Sequence, residues 1–122
     1  MAHPTQTLPS GHVAFVGAGP GDPELLTVRA MREIQSAEVI LHDQLVPEAI
    51  LSLASEAATL VPVGKKGFGP SMKQDDINAL IIAHASGGAR TVRLKAGDPG
   101  VFGRLDEETE ALDAAGIPYH VT

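Results

Sequence analysis

The sequence contains no cysteine, which excludes disulfides and thiolate metal sites and fits a reducing compartment, so a cytoplasmic location is expected. Aromatic residues are scarce at 3%, no long basic run occurs, and the formal net charge is -6. A stacking platform and a phosphate-binding basic surface are therefore both missing, and nucleic-acid binding is not expected. No stretch approaches the ~18 consecutive apolar residues of a membrane span. The opening MAHPTQTLPS lacks the apolar core of a signal peptide and reads as a polar tail over residues 1–10. What is present is the balance of a folded soluble domain: 43% hydrophobic and 20% charged residues in a 122-residue chain. That length holds one compact domain and not a two-domain enzyme.

Hydrophobic periodicity divides residues 11–122 into alternating strands and helices. Short β-branched runs at 12–16, 39–41, 59–63, 90–95 and 119–121 read as strands, with Pro62 marking a strand end. Between them lie helical stretches at 24–35, 47–54, 73–85 and 102–115. In the first, Leu25, Leu26, Val28, Ala30, Met31 and Ile34 are spaced as a buried face. In the third, Ile77, Leu80 and Ile81 fall on one face, with His84 continuing it as a partly buried structural histidine. Strand-helix alternation implies parallel pairing through right-handed crossovers, hence an open, mainly parallel five-stranded α/β sheet with helices on both faces. Ligands gather beyond the carboxyl ends of such strands, here the loops 17–23, 42–46, 64–71 and 96–100. The chain stops at Thr122 at the end of a strand, so a further domain is expected to follow.

The first loop, VGAGPGDPELLT, invites a dinucleotide reading. The spacing does not support it, because Asp22 occupies the third glycine site of that fingerprint and would repel a pyrophosphate. A nicotinamide-dependent dehydrogenase is disfavoured on this ground. A glycine turn needed only for the tight connection remains open, as does a non-catalytic ligand-binding or assembly domain.

Five blocks, GAGPGDPELLTVRAMREIQSAEVIL with HDQLV, VGKKG, QDDINALI, VRLKAGDPGVFGR and EALDAAGIPYHV, resemble in order and spacing the uroporphyrinogen-III C-methyltransferases of the tetrapyrrole methylase family. The resemblance covers residues 11–122 and matches the N-terminal one of the family's two α/β domains, the C-terminal domain being absent. It implies methyl transfer from S-adenosyl-methionine to uroporphyrinogen III, giving precorrin-2 for sirohaem or cobalamin synthesis, in a homodimeric parent enzyme. A methylase of a later corrin intermediate is the nearest alternative. The chain departs from the family pattern at Gln44, usually arginine, at Ala96 and at Leu105-Asp106, usually glycine, and at Gly100, usually phenylalanine.

The same resemblance assigns residues. Cofactor contacts carry over to Pro20, Ala96, Gly97, Asp98 and Val101, where small side chains suit a ligand pressed against the main chain. Asp98 is equally suited to N-cap the next helix. Asp43 matches the family's proton acceptor and Lys65 its proton donor, against a loop-start hydrogen bond and a solvated charge as the plainer readings. Arg104 is the candidate for gripping a carboxylate of the tetrapyrrole, since a guanidinium does so bidentately. Glu107 either orients that arginine, acts as an alternative base, or compensates the helix dipole. The five histidines show no pair at metal-ligand spacing, and no metal is expected. His42, beside Asp43, reads as a strand-end residue.

Overall fold

The computed structural model describes residues 8–63, 73–97 and 105–122. Strands β1 (Val13–Gly17), β2 (Val39–Asp43), β3 (Thr59–Val63), β4 (Thr91–Lys95) and β5 (Tyr119–Val121) form one sheet in the order β3-β2-β4-β1-β5. Every pairing is parallel. Helices α1 (Val28–Ser36), α2 (Glu48–Leu51), α3 (Gln74–Ser86) and α4 (Leu105–Ala115) connect them. The open, parallel α/β sheet expected from the strand-helix alternation is the observed architecture.

The topology follows from one handedness. The steps β1 to β2 and β2 to β3 move towards one sheet edge, and the steps β3 to β4 and β4 to β5 move towards the other. Right-handed crossovers then require the first two helices on one face and the last two on the opposite face. The two cores show this: Ala14, Val16, Ile40, Val92 and Leu94 pack with Ile34 of α1 and Ile50 of α2. Val13, Phe15, Val39, Leu41 and Val63 pack with Ile77 and Ile81 of α3 and Leu112 of α4. Pro62 is accommodated because β3 is an edge strand, where a missing amide donor costs no ladder bond on the open side.

Three local expectations change. The first helix does not run over 24–35: Pro23–Leu25 form a 3-10 turn, and α1 starts only after Thr27, whose Oγ1 accepts from the Ala30 amide at 3.0 Å. This N-cap rotates the buried face. Leu25 and Val28 are consequently 65% and 57% exposed, while Ala30, Glu33 and Ile34 are buried. The second helix is four residues long, ending where the Ser52 hydroxyl donates to the Ala49 carbonyl. Leu8, placed in the polar tail by the sequence, is fully buried against the α1 face of the sheet; residues 1–7 of that tail lie outside the described residues.

Candidate functional site

β1 and β4 are neighbours, yet the chain leaves β1 for α1 on one face and β4 for α4 on the other. That divergence opens a crevice at their carboxyl ends, the place where ligands bind in open α/β sheets. The two loops meet across it. The Ala18 amide donates to the Lys95 carbonyl (2.8 Å) and the Gly19 amide to the Gly97 carbonyl (3.1 Å), an isolated antiparallel bridge beyond the parallel ladder. Gly19 and Gly97 hold φ of 61° and 76°, the left-handed region that glycine enters without a Cβ penalty. Gly21, at φ 100°, passes so close to α2 that an added Cβ would lie 2.9 Å from Pro47 Cγ.

Asp43 ends β2 beside this crevice. Its Oδ2 accepts from the Ala96 amide (3.2 Å), and its Oδ1 takes the Arg93 guanidinium at 2.8 Å. The carboxylate thus ties β2 to the loop after β4, and it remains 29% exposed. Asp43, Leu45, Ala96 and Gly97 line a recess of about 360 Å³, within the ~300–1,000 Å³ range of small-molecule sites. Leu45 is 82% exposed at its rim.

Beneath the recess lies a buried charge network. Arg93 and Lys95, alternate residues of β4 on the α4 side, are each 3% exposed. Glu108 of α4, with a fully buried side chain, accepts from Arg93 Nε (3.1 Å) and Gln74 Nε2 (3.2 Å) on Oε2. Lys95 Nζ sits 2.8 Å from Oε1 as an ion pair off the hydrogen-bonding angle. Arg93 Nη1 donates to the carbonyls of Leu41 (3.4 Å) and Leu94 (3.3 Å). Two cations face two carboxylates, so the formal charges cancel.

A second polar cluster lies at the β5 edge. Buried Glu33 accepts from the Thr122 hydroxyl (2.6 Å) and pairs with His120 Nε2, and His120 Nδ1 meets His12 Nε2 at 2.7 Å. Burial, then the neighbouring His120, lowers the pKa of His12 from its ordinary 6.5.

Of the residues named from the sequence, the structure brings Asp43, Ala96 and Gly97 together in one recess. Pro20 is exposed in the turn next to Gly19, at the bridge to Gly97. Glu107 is exposed in the first turn of α4, and it is its neighbour Glu108 that points into the protein. Lys65, Asp98, Val101 and Arg104 lie outside the described residues. His42 is buried, with Nδ1 3.1 Å from the Asp43 carbonyl. Asp22 caps the 3-10 turn by accepting from the Glu24 amide (2.9 Å), and the glycine loop runs into that turn instead of opening an α-helix, unlike the helix N-terminus on which a pyrophosphate site is built. Arg93, Lys95 and Glu108 are functional-site residues that the motifs do not reveal. The available signal was the strand VRLK itself, since a central parallel strand is ordinarily apolar on both faces.

A doubly wound parallel sheet with a small-residue recess at its switch point, guarded by a carboxylate, defines a ligand-binding α/β domain. Residues 12–122 match the family of tetrapyrrole (corrin/porphyrin) methylases, and the chain belongs to that family. The siroheme synthase of Methylococcus capsulatus is 56% identical over 111 residues, 91% of this chain and 23% of that protein. Siroheme synthase 2 of Aeromonas hydrophila is 54% identical over 111 residues, 91% of this chain and 24% of that protein. A solved uroporphyrin-III C-methyltransferase from Thermus thermophilus has a TM-score of 0.81 at 48% identity, covering 92% of this chain and 46% of that one. The same enzyme complexed with S-adenosyl homocysteine matches with a TM-score of 0.80 at 47% identity, covering 91% and 47%. The chain therefore spans about a quarter of the length of these curated relatives and under half of the solved methyltransferase.

Proposed function

We propose that this chain carries the donor-side half of a methyltransferase that moves a methyl group from S-adenosyl-methionine to uroporphyrinogen III, forming precorrin-2. The observation that carries the reading is the convergence of Asp43, Ala96 and Gly97 in one recess at the switch point, in a chain 47% identical to a methyltransferase solved with S-adenosyl homocysteine. The residues fit such a ligand. The Ala96-Gly97 main chain offers an approach with little Cβ bulk, and an anionic Asp43 suits a cationic sulfonium donor. Pro20, Asp98 and Val101 are proposed to complete the contacts.

S-adenosyl-methionine, when bound, supplies a methyl group electrophilic enough for a pyrrole carbon to attack. The chain's own part is orientation and proton handling. Asp43 accepts the proton lost as the ring system rearranges, and Lys65 returns one. Arg104 grips a substrate carboxylate, with Glu107 orienting it or serving as alternative base. A second α/β half closes the recess in the parent protein, which is proposed to be a cytoplasmic homodimer needing no metal. Isothermal calorimetry of the complete protein with S-adenosyl-homocysteine tests the reading, and absence of binding would sink it. In the same protein Asp43→Asn is expected to lower kcat by about 10²–10⁴-fold with donor binding retained. The 122 residues alone are expected to show no turnover.

A further inference from the structure

The network under the recess is a poor way to make a domain stable. Two buried ion pairs lose hydration that their attraction only partly returns, and hydrophobic replacements of similar volume are often as stable or more so. Its geometry is better explained by what it holds. Arg93 uses all three nitrogens: Nε on Glu108, Nη1 on the Leu41 and Leu94 carbonyls, and Nη2 on Asp43. A planar guanidinium anchored on two sides leaves its third direction fixed, which an ammonium on a flexible stem cannot reproduce. Lys95, on the far oxygen of Glu108, balances the anchor's charge. The chain of contacts runs from α4, through the central strand, to the Asp43 carboxylate in the recess wall.

We propose that Arg93 is a positioning residue for Asp43, with Glu108 as the anchor that aims its guanidinium. This rests on the reading of Asp43 as the proton acceptor. The orientation of the Asp43 carboxylate is then set from the helix that follows the fourth loop, so the two sides of the recess are held in register by one side chain.

The test is a double-mutant cycle in the complete protein, with Asp43→Asn, Arg93→Lys and their combination, read as kcat and as S-adenosyl-homocysteine affinity. Arg93→Lys keeps the charge and loses the fork, and is expected to cost about tenfold to a hundredfold in kcat with donor affinity nearly unchanged. The combined variant is expected to be no slower than Asp43→Asn alone. Losses that multiply, or an Arg93→Lys enzyme with full kcat, overturn the proposal. Glu108→Gln, which keeps an oxygen acceptor for Arg93, guards against a folding failure and is expected to give a smaller loss of the same kind; a loss as large in the Asp43→Asn background overturns the anchor role. Full kcat in Asp43→Asn would remove the underlying reading instead. The carbon-13 shift of the Asp43 carboxyl, compared between the wild type and Arg93→Lys at one neutral pH, tests the positioning contact without reference to activity. A moved resonance supports the contact, and an unmoved one refutes it.

Discussion

Replacing Glu108 with alanine separates a structural carboxylate from the surface acid that its place in the sequence suggests. In LDEETEALDAA it stands among three acidic residues in the first turn of α4. An exposed acid there contributes about 0.3–1 kcal/mol through the helix dipole. In the fold its side chain is fully buried against Arg93 and Lys95, each 3% exposed. Removing one partner of a buried pair costs about 3–5 kcal/mol, because the other charge stays desolvated without compensation. Here Arg93 keeps Asp43 while Lys95 loses the carboxylate it pairs with, and Gln74 loses an acceptor. Water entering the vacated space relieves part of this, so about 4 kcal/mol is expected, a large share of the roughly 5–15 kcal/mol that holds a domain together. Glu107→Ala, one residue earlier and exposed, is expected to cost less than about 1 kcal/mol. Urea unfolding followed by circular dichroism measures both. Two alanine variants within about 0.5 kcal/mol of each other would refute the buried-network reasoning.

Gly21→Ala combines an unfavourable φ with a Cβ 2.9 Å from Pro47, and is expected to cost about 2–3 kcal/mol. Gly19→Ala, whose Cβ meets nothing within 4 Å, carries the backbone term alone at about 1–2 kcal/mol; equal urea midpoints for the two would deny the Pro47 contact. Thr27→Ala removes the α1 N-cap and is expected to lower stability by about 1 kcal/mol, with Thr27→Ser restoring most of it. The pKa of His12 is lower in the fold than its ordinary 6.5, so as pH falls the unfolded chain takes up the proton first. This group therefore costs stability as pH drops through about 6.5, and the cost is complete below its folded value. His12→Gln is expected to lose less stability between slightly alkaline and mildly acidic urea titrations than the wild type, and an unchanged pH slope would count against the assignment.

Periodicity and punctuation in the sequence determined the five strands, their parallel pairing and the loops at their carboxyl ends. Strand identity is local: a short β-branched run bounded by turn residues reads as a strand wherever its neighbours lie, whereas its burial is not, since β3 follows the same pattern and is a largely exposed edge strand. The motif blocks likewise pointed to Asp43, Ala96 and Gly97, which the fold brings into one recess. The limits of local reading show at Thr27, where one hydroxyl acceptor restarted the helix and turned Leu25 and Val28 to solvent. Only the tertiary structure decided which charges meet. Asp43 and Arg93 are 50 residues apart and become partners because β4 lies next to β2, and Glu108 joins them because α4 covers that face. Glu33, His12, His120 and Thr122 converge for the same reason, since β5 lies beside β1. A charge in a strand is costly or useful according to its neighbours, and neighbours are a property of sheet order, which no spacing within one segment encodes.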